Sequence, residues 1–67
     1  INGTVLIKRV IFKALKLLKI NGKLIIEIGK DQKYKVIEIL KKNKFYINKL
    51  VKDLSNKDRC IVSTKLA

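Results

Sequence analysis

The chain has 67 residues, and its 17 lysines and arginines against five acidic residues give a formal net charge of +12. This length allows one domain at most. Because Cys60 is the single cysteine, an internal disulfide is excluded. The chain has no histidine, which excludes His-based acid–base catalysis and metal sites of the Cys/His type.

The basic charge has two interpretations. A strong basic excess is typical of proteins that bind nucleic acid or another anionic surface. Compositional bias is the alternative, because lysine supplies all the cations except Arg9 and Arg59, and proline and tryptophan are absent. In either case we expect weak binding to polyanions without sequence preference. The apolar runs are too short to span a membrane, and the lone thiol favours a reducing compartment, so we expect a cytoplasmic location.

The first predicted element is a helix from Val5 to Ile20, preceded by the turn signal Asn2-Gly3 and by Thr4 as a candidate N-cap. Its apolar residues fill a wider arc than a one-sided surface helix needs, so we expect neighbours on more than one side. A basic amphipathic helix can also lie on a membrane surface. We expect no membrane contact here, because the strand that follows is a better burial partner.

A predicted strand from Lys23 to Ile28 follows, between the left-handed stop Asn21-Gly22 and Gly29. Its apolar run is typical of a buried strand, more often parallel than exposed. Glu27 interrupts that run. A carboxylate in a buried strand needs a partner or a place at the strand's end facing a cleft. The alternative is that Glu27 simply reaches solvent at that end.

A second helix is predicted from Asp31 to Asn43, with Asp31 as its N-cap. Glu38 and Lys42 are spaced to form an ion pair on its surface. The buried stripe of this helix consists of Val36, Ile37, Ile39 and Leu40. A strand, a tight turn and a helix in succession are typical of α/β sheets, in which ligands bind outside the carboxyl ends of the strands.

The last third of the chain predicts a hairpin of two antiparallel strands, Phe45 to Asp53 and Arg59 to Lys65, joined by turn residues. Asp53, Asp58 and Arg59 bracket that turn. They are either an anion or ligand site or an ion pair that stabilises the turn. The chain has no glycine-rich nucleotide loop and no acid pair with catalytic spacing, so its own residues indicate no enzyme chemistry.

One ordered set of residues consists of Leu18-x-x-Asn21-Gly22-x-Leu24-Ile25-Ile26-Glu27-Ile28-Gly29-x-x-Gln32, then a helix, Phe45, Lys52-Asp53-Leu54 and Asp58-Arg59. This set resembles the carboxyl-terminal third of the HemK family, the release-factor glutamine methyltransferases. It covers nearly the whole chain. Ser55-Asn56 departs from the pattern, since many relatives have a glycine there, and Ile1 to Thr4 match poorly.

The resemblance implies an α/β fold, the carboxyl-terminal fragment of a Rossmann-like methyltransferase whose last strand runs antiparallel. Residues 1–67 would form one partial domain, ordered helix-strand-helix-strand-strand, with the final strand beside Leu24–Ile28. The parent enzyme would use S-adenosylmethionine and act on a peptide chain release factor. The family's glycine-rich loop and Asn-Pro-Pro-Tyr motif are missing, so no catalytic, cofactor-binding or metal residue is carried over, and the fragment itself would be inactive. The framework positions that match are Glu27, Gly29, Gln32, Asp53 and Arg59.

The resemblance also has a consequence for assembly. If the Leu24–Ile28 strand is the family's fifth, its neighbour on one edge is missing. Right-handed crossovers would place both helices on one face of the sheet and leave the other face bare. We therefore expect self-association through the open edge of the sheet, or else a poorly ordered monomer.

Overall fold

A computed structural model describes residues 3–67 of the chain, and the side chains from Val5 onward. The elements are α1 (Gly3–Leu17), β1 (Lys23–Glu27), α2 (Lys33–Lys42), β2 (Phe45–Lys52) and β3 (Asp58–Lys65). The predicted order of helix, strand, helix, strand, strand is confirmed. None of the helices in this part of the chain has the length and apolar character needed to cross a membrane.

The three strands form one sheet in the order β1-β3-β2, so the last strand of the chain lies in the middle. β3 pairs antiparallel with both neighbours, and Ile61 lies opposite Ile26 on β1 and Leu50 on β2. β1 and β2 therefore run parallel to each other, and α2 is the crossover that connects them. The predicted hairpin and the place of its last strand beside β1 are both confirmed.

The two helices and one face of the sheet share a single hydrophobic core. Ile61 of the central strand is completely buried in it, and Ser63 on the same strand donates a hydrogen bond from its Oγ to the Leu24 carbonyl oxygen (2.9 Å). The other buried apolar residues of this cluster are Ile11, Ala14, Ile26, Ile28, Val36, Ile39, Leu40 and Phe45. Of the predicted stripe on α2, Ile37 is only partly buried.

The prediction that the β1 region is a buried, parallel strand is wrong. Its one partner among the described strands, β3, is antiparallel, and Ile26 is buried while Ile25 is 64% exposed. Side chains alternate between the faces of a strand, and only one face of this sheet is covered by helices. We call the other side, which carries Ile25, the open face. By alternation and register it also carries Lys23, Glu27, Cys60, Val62 and Val51.

The bounds of α1 differ from the prediction at both ends. Thr4 lies inside the helix and is not its N-cap, and Gly3 is already helical; the rest of the predicted Asn2-Gly3 turn lies outside the described residues. The helix ends at Leu17, and the predicted left-handed residue is Asn21 (φ 74°). Lys65 donates hydrogen bonds from Nζ to two carbonyl oxygens at the end of α1, those of residues 15 (2.6 Å) and 18 (2.8 Å).

Two further predictions about the helices need correction. α1 is covered on one side only, because Ile11 and Ala14 are buried in the shared core whereas the apolar residues Leu6, Val10, Phe12 and Leu17 are exposed. α2 begins at Lys33 with Gln32 as its N-cap, because Asp31 has the left-handed φ of 64°, which an N-cap residue does not adopt. The Glu38–Lys42 ion pair (3.3 Å) is confirmed, and α2 ends at Lys42 with Asn43 as its C-cap, near the predicted end.

Candidate functional site

The carboxyl ends of β1 and β2 lie at the same end of the sheet, on either side of the first residues of β3. Glu27 of β1 and Val51 of β2 are both paired with Cys60. The loop from β1 to α2 and the turn from β2 to β3 therefore come together there. In α/β sheets this is the end at which ligands bind.

The loop after β1 is closed by a pair of reciprocal hydrogen bonds. The Gly29 N–H donates to the Gln32 side-chain oxygen Oε1 (2.9 Å), and the Gln32 N–H donates to the Gly29 carbonyl oxygen (3.3 Å). A Cβ added at Gly29 would lie 3.0 Å from that Oε1 atom. The spacing Gly29-x-x-Gln32 thus fixes the start of α2, and glycine leaves room for the glutamine side chain.

The β2–β3 turn is organised around Asp53. Its Oδ1 accepts hydrogen bonds from the N–H groups of Ser55 (2.8 Å) and Lys57 (3.0 Å), and its Oδ2 accepts one from Arg59 Nε (2.7 Å). The pKa of Asp53 is lowered below its ordinary 3.8, mainly by the hydrogen bond from the Lys57 N–H and next by the hydrogen bond from the Arg59 guanidinium. Of the two interpretations of Asp53 and Arg59, the turn-stabilising ion pair is the one that the geometry supports.

Asp58 belongs to a different interaction, which links the first residue of α2 to the first residue of β3. Lys33 Nζ lies 2.8 Å from Asp58 Oδ2, and the hydrogen bond to Asp58 raises the pKa of Lys33 above its ordinary 10.5. The same ammonium lies 4.9 Å from the centre of the Tyr34 ring. The second carboxylate oxygen of Asp58, Oδ1, is buried and has no hydrogen-bond partner among the described residues.

Between these two loops lies an open cleft of about 590 Å³, lined by residues 28–31, 33 and 34 and by residues 56–59. Its charges are mixed. Lys33 and Arg59 are held by carboxylates, whereas Lys30 and Lys57 form no ion pair within the described chain. Tyr34 is 78% exposed beside them. The cleft can therefore contact an anion through two free ammonium groups and a flat group through the Tyr34 ring.

The five framework positions fall into two hydrogen-bonded pairs and one isolated residue. Gly29 pairs with Gln32 and Asp53 pairs with Arg59, both at the cleft end of the sheet. Glu27 is exposed on the open face and has no ion pair within residues 3–67. This supports the alternative that Glu27 simply reaches solvent at the end of the strand. No group of three or more His, Cys, Asp or Glu residues in that part of the chain could hold a metal ion.

The interaction that sequence reasoning missed is the one between Lys33 and Asp58. The only signal for it in the sequence is opposite charge, because the two residues are 25 positions apart. Comparisons of the chain with protein-family models, with curated proteins and with solved structures found no match.

Proposed function

We propose that the chain is the carboxyl-terminal part of a release-factor glutamine methyltransferase of the HemK type. In this role it completes the sheet of the parent enzyme and performs no chemistry itself. The parent would bind S-adenosylmethionine and transfer its methyl group to the glutamine of a release factor. Those two activities would reside in the glycine-rich loop and the Asn-Pro-Pro-Tyr motif, which this chain lacks.

The observation that carries the proposal is the strand order β1-β3-β2. The last strand of the chain is antiparallel and inserts between two strands that are parallel to each other. This is the arrangement that the resemblance implies for the end of the methyltransferase sheet. The motif residues add support, because the Gly29–Gln32 and Asp53–Arg59 hydrogen bonds explain why these residue types occur at these positions.

The experiment begins with the coding sequence upstream of Ile1. The proposal expects a glycine-rich loop and an Asn-Pro-Pro-Tyr motif in the same reading frame. The full-length product should then methylate the glutamine of a release factor, detected by mass spectrometry of the peptide with S-adenosylmethionine as methyl donor. A matched release factor with that glutamine replaced by glutamate is the control. An initiation codon directly before Ile1, or a full-length product that transfers no methyl group, would contradict the proposal.

A second candidate function is a small basic module that binds nucleic acid, and the cleft is the feature that favours it. Lys30 and Lys57 would contact phosphates there, beside the exposed ring of Tyr34. Replacing both lysines by glutamine should weaken binding of a single-stranded oligonucleotide more than the matched double substitution of Lys13 and Lys41, which are exposed on the helices. Equal losses in fluorescence anisotropy would mean that charge alone drives binding.

A further inference from the structure

β1 is an edge strand whose outward backbone groups can be identified. The Lys65 N–H donates to the Gly22 carbonyl oxygen (2.9 Å), and the Ile28 N–H donates to the Arg59 carbonyl oxygen (2.7 Å). The pairing between β1 and β3 has no register shift between these two points. Because hydrogen bonding alternates along a strand, the N–H and C=O groups of residues 23, 25 and 27 point away from the sheet.

The sheet has a second edge, on β2, but it is poorly suited to pairing. Two register shifts interrupt β2, between Ile47 and Lys49 and between Val51 and Lys52. Bulges and lysines of this kind are what proteins use to protect a sheet edge from association. β1 has no bulge, its one lysine, Lys23, is matched by Glu27 on the same strand, and its central side chain, Ile25, is 64% exposed.

The sequence of β1 is complementary to itself. If two copies pair antiparallel about a two-fold axis at Ile25, then Lys23 of each copy lies opposite Glu27 of the other. The three residues with outward backbone groups pair with one another in this register, so every outward N–H meets a carbonyl oxygen. Lys23, Ile25 and Glu27 also share the open face. The two charge pairs would therefore flank the contact between the two Ile25 side chains.

We propose that two copies of this chain associate through their β1 edges, in the register centred on Ile25, and join their three-stranded sheets into one. A two-fold interface of this type buries the same patch on both copies. The net charge of +12 on each copy opposes association. Salt screens that repulsion beyond about 8 Å at physiological ionic strength, so the dimer should strengthen as salt increases. The inference uses only the edge of β1 and concerns this chain alone. In the parent enzyme proposed above, a further strand would cover the same edge, so the dimer is expected only where that strand is absent.

Charge exchange between Lys23 and Glu27 tests the register. Lys23→Glu alone places like charges opposite each other at both ends of the interface, and so does Glu27→Lys. Each variant should dimerise about tenfold more weakly than the original chain, measured by sedimentation equilibrium at physiological salt. Lys41→Glu is the matched control for Lys23→Glu, because it changes the net charge equally at an exposed site on α2 and should not weaken the dimer.

The deciding measurement is a mixture of the two single variants, since opposite charges then meet again across the interface. Lys23 also donates a hydrogen bond to Thr64 Oγ1 (2.8 Å), and Lys23→Glu removes it. The mixture controls for this loss, because the hydrogen bond is missing both when the Lys23→Glu variant is alone and when it is in the heterodimer. A heterodimer with the original affinity is the expected result. The proposal is overturned if the mixture stays monomeric or if Lys23→Glu dimerises as well as Lys41→Glu.

Amide hydrogen exchange gives an independent test that needs no substitution. As the chain concentration rises to the millimolar range, the N–H groups of residues 23, 25 and 27 should become protected. Those of β2 that face solvent should not change. A chain that remains monomeric at millimolar concentration, or protection that appears on the β2 edge instead, would refute pairing through β1.

Discussion

Two isoleucines on adjacent strands should respond very differently to the same small substitution. Ile61 on β3 is fully buried between Ile26 and Leu50, whereas Ile25 on β1 is 64% exposed on the open face. Replacing a buried isoleucine by valine typically costs about 0.5–1.5 kcal/mol, and replacing it by alanine about 2–5 kcal/mol. Exposed sites usually change stability by less than about 0.5 kcal/mol. Ile61→Val should therefore be destabilising and Ile25→Val nearly neutral.

The expected effects are large relative to the total free energy of unfolding. For a domain of 67 residues, the free energy of unfolding is roughly 3–10 kcal/mol. Since a small domain loses about 1 kcal/mol per molar urea, Ile61→Val should lower the urea midpoint by about 0.5–1.5 M. Ile61→Ala removes about 2–5 kcal/mol, a large part of this stability, so its urea midpoint should fall several times further than that of Ile61→Val.

Circular dichroism during urea titration measures both midpoints. The chain should be kept at low micromolar concentration, so that pairing of two β1 edges does not bury Ile25. Equal shifts for Ile61→Val and Ile25→Val would refute the reasoning, because they would mean that the open face is covered. An unchanged midpoint for Ile61→Val would mean that β3 is not the buried central strand.

Three further predictions concern ligands and pH. Titration calorimetry of this chain with millimolar S-adenosylmethionine should show no binding heat, because the glycine-rich loop is missing; saturable micromolar binding would contradict that. Affinity for polyanions should fall steeply between about 50 mM and about 200 mM salt, and a sequence preference above roughly tenfold at the higher salt would favour the nucleic-acid module. The pKa of Asp53 is lowered and that of Lys33 raised, so both groups stabilise the fold between pH 3.8 and 10.5. The Asp53 contribution disappears as pH falls through its lowered pKa, and the Lys33 contribution as pH rises through its raised pKa. Asp53→Asn should therefore reduce the loss of stability in acid, and Asp31→Asn, which alters no ion pair of the described chain, should leave it unchanged.

The parts of the candidate site that could be predicted are those formed by residues close in sequence. The Asp53–Arg59 pair spans six positions across one turn, and the Gly29–Gln32 contact spans three. Such contacts depend on local geometry, which residue types and spacing determine. The pair Lys33–Asp58 brings α2 to the start of β3, and Lys65 reaches back to the end of α1 from a distance of about 50 positions. These contacts exist only after the helices have packed on the sheet.

The sequence by itself determined the order of the five elements and the positions of the turns. Short-range preferences explain this, because Asn21 and Asn56 adopt left-handed backbone that asparagine tolerates, and apolar residues that recur every three to four positions define the helices. The tertiary structure decided between two conflicting expectations for β1, burial on both sides and cover on one face only. The apolar run of β1 suggested burial on both sides, yet Ile25 is exposed, because both helices pack on the other face of the sheet. Which face is covered depends on the handedness of the crossover through α2 and on which elements are present, and neither is encoded in the composition of a single strand.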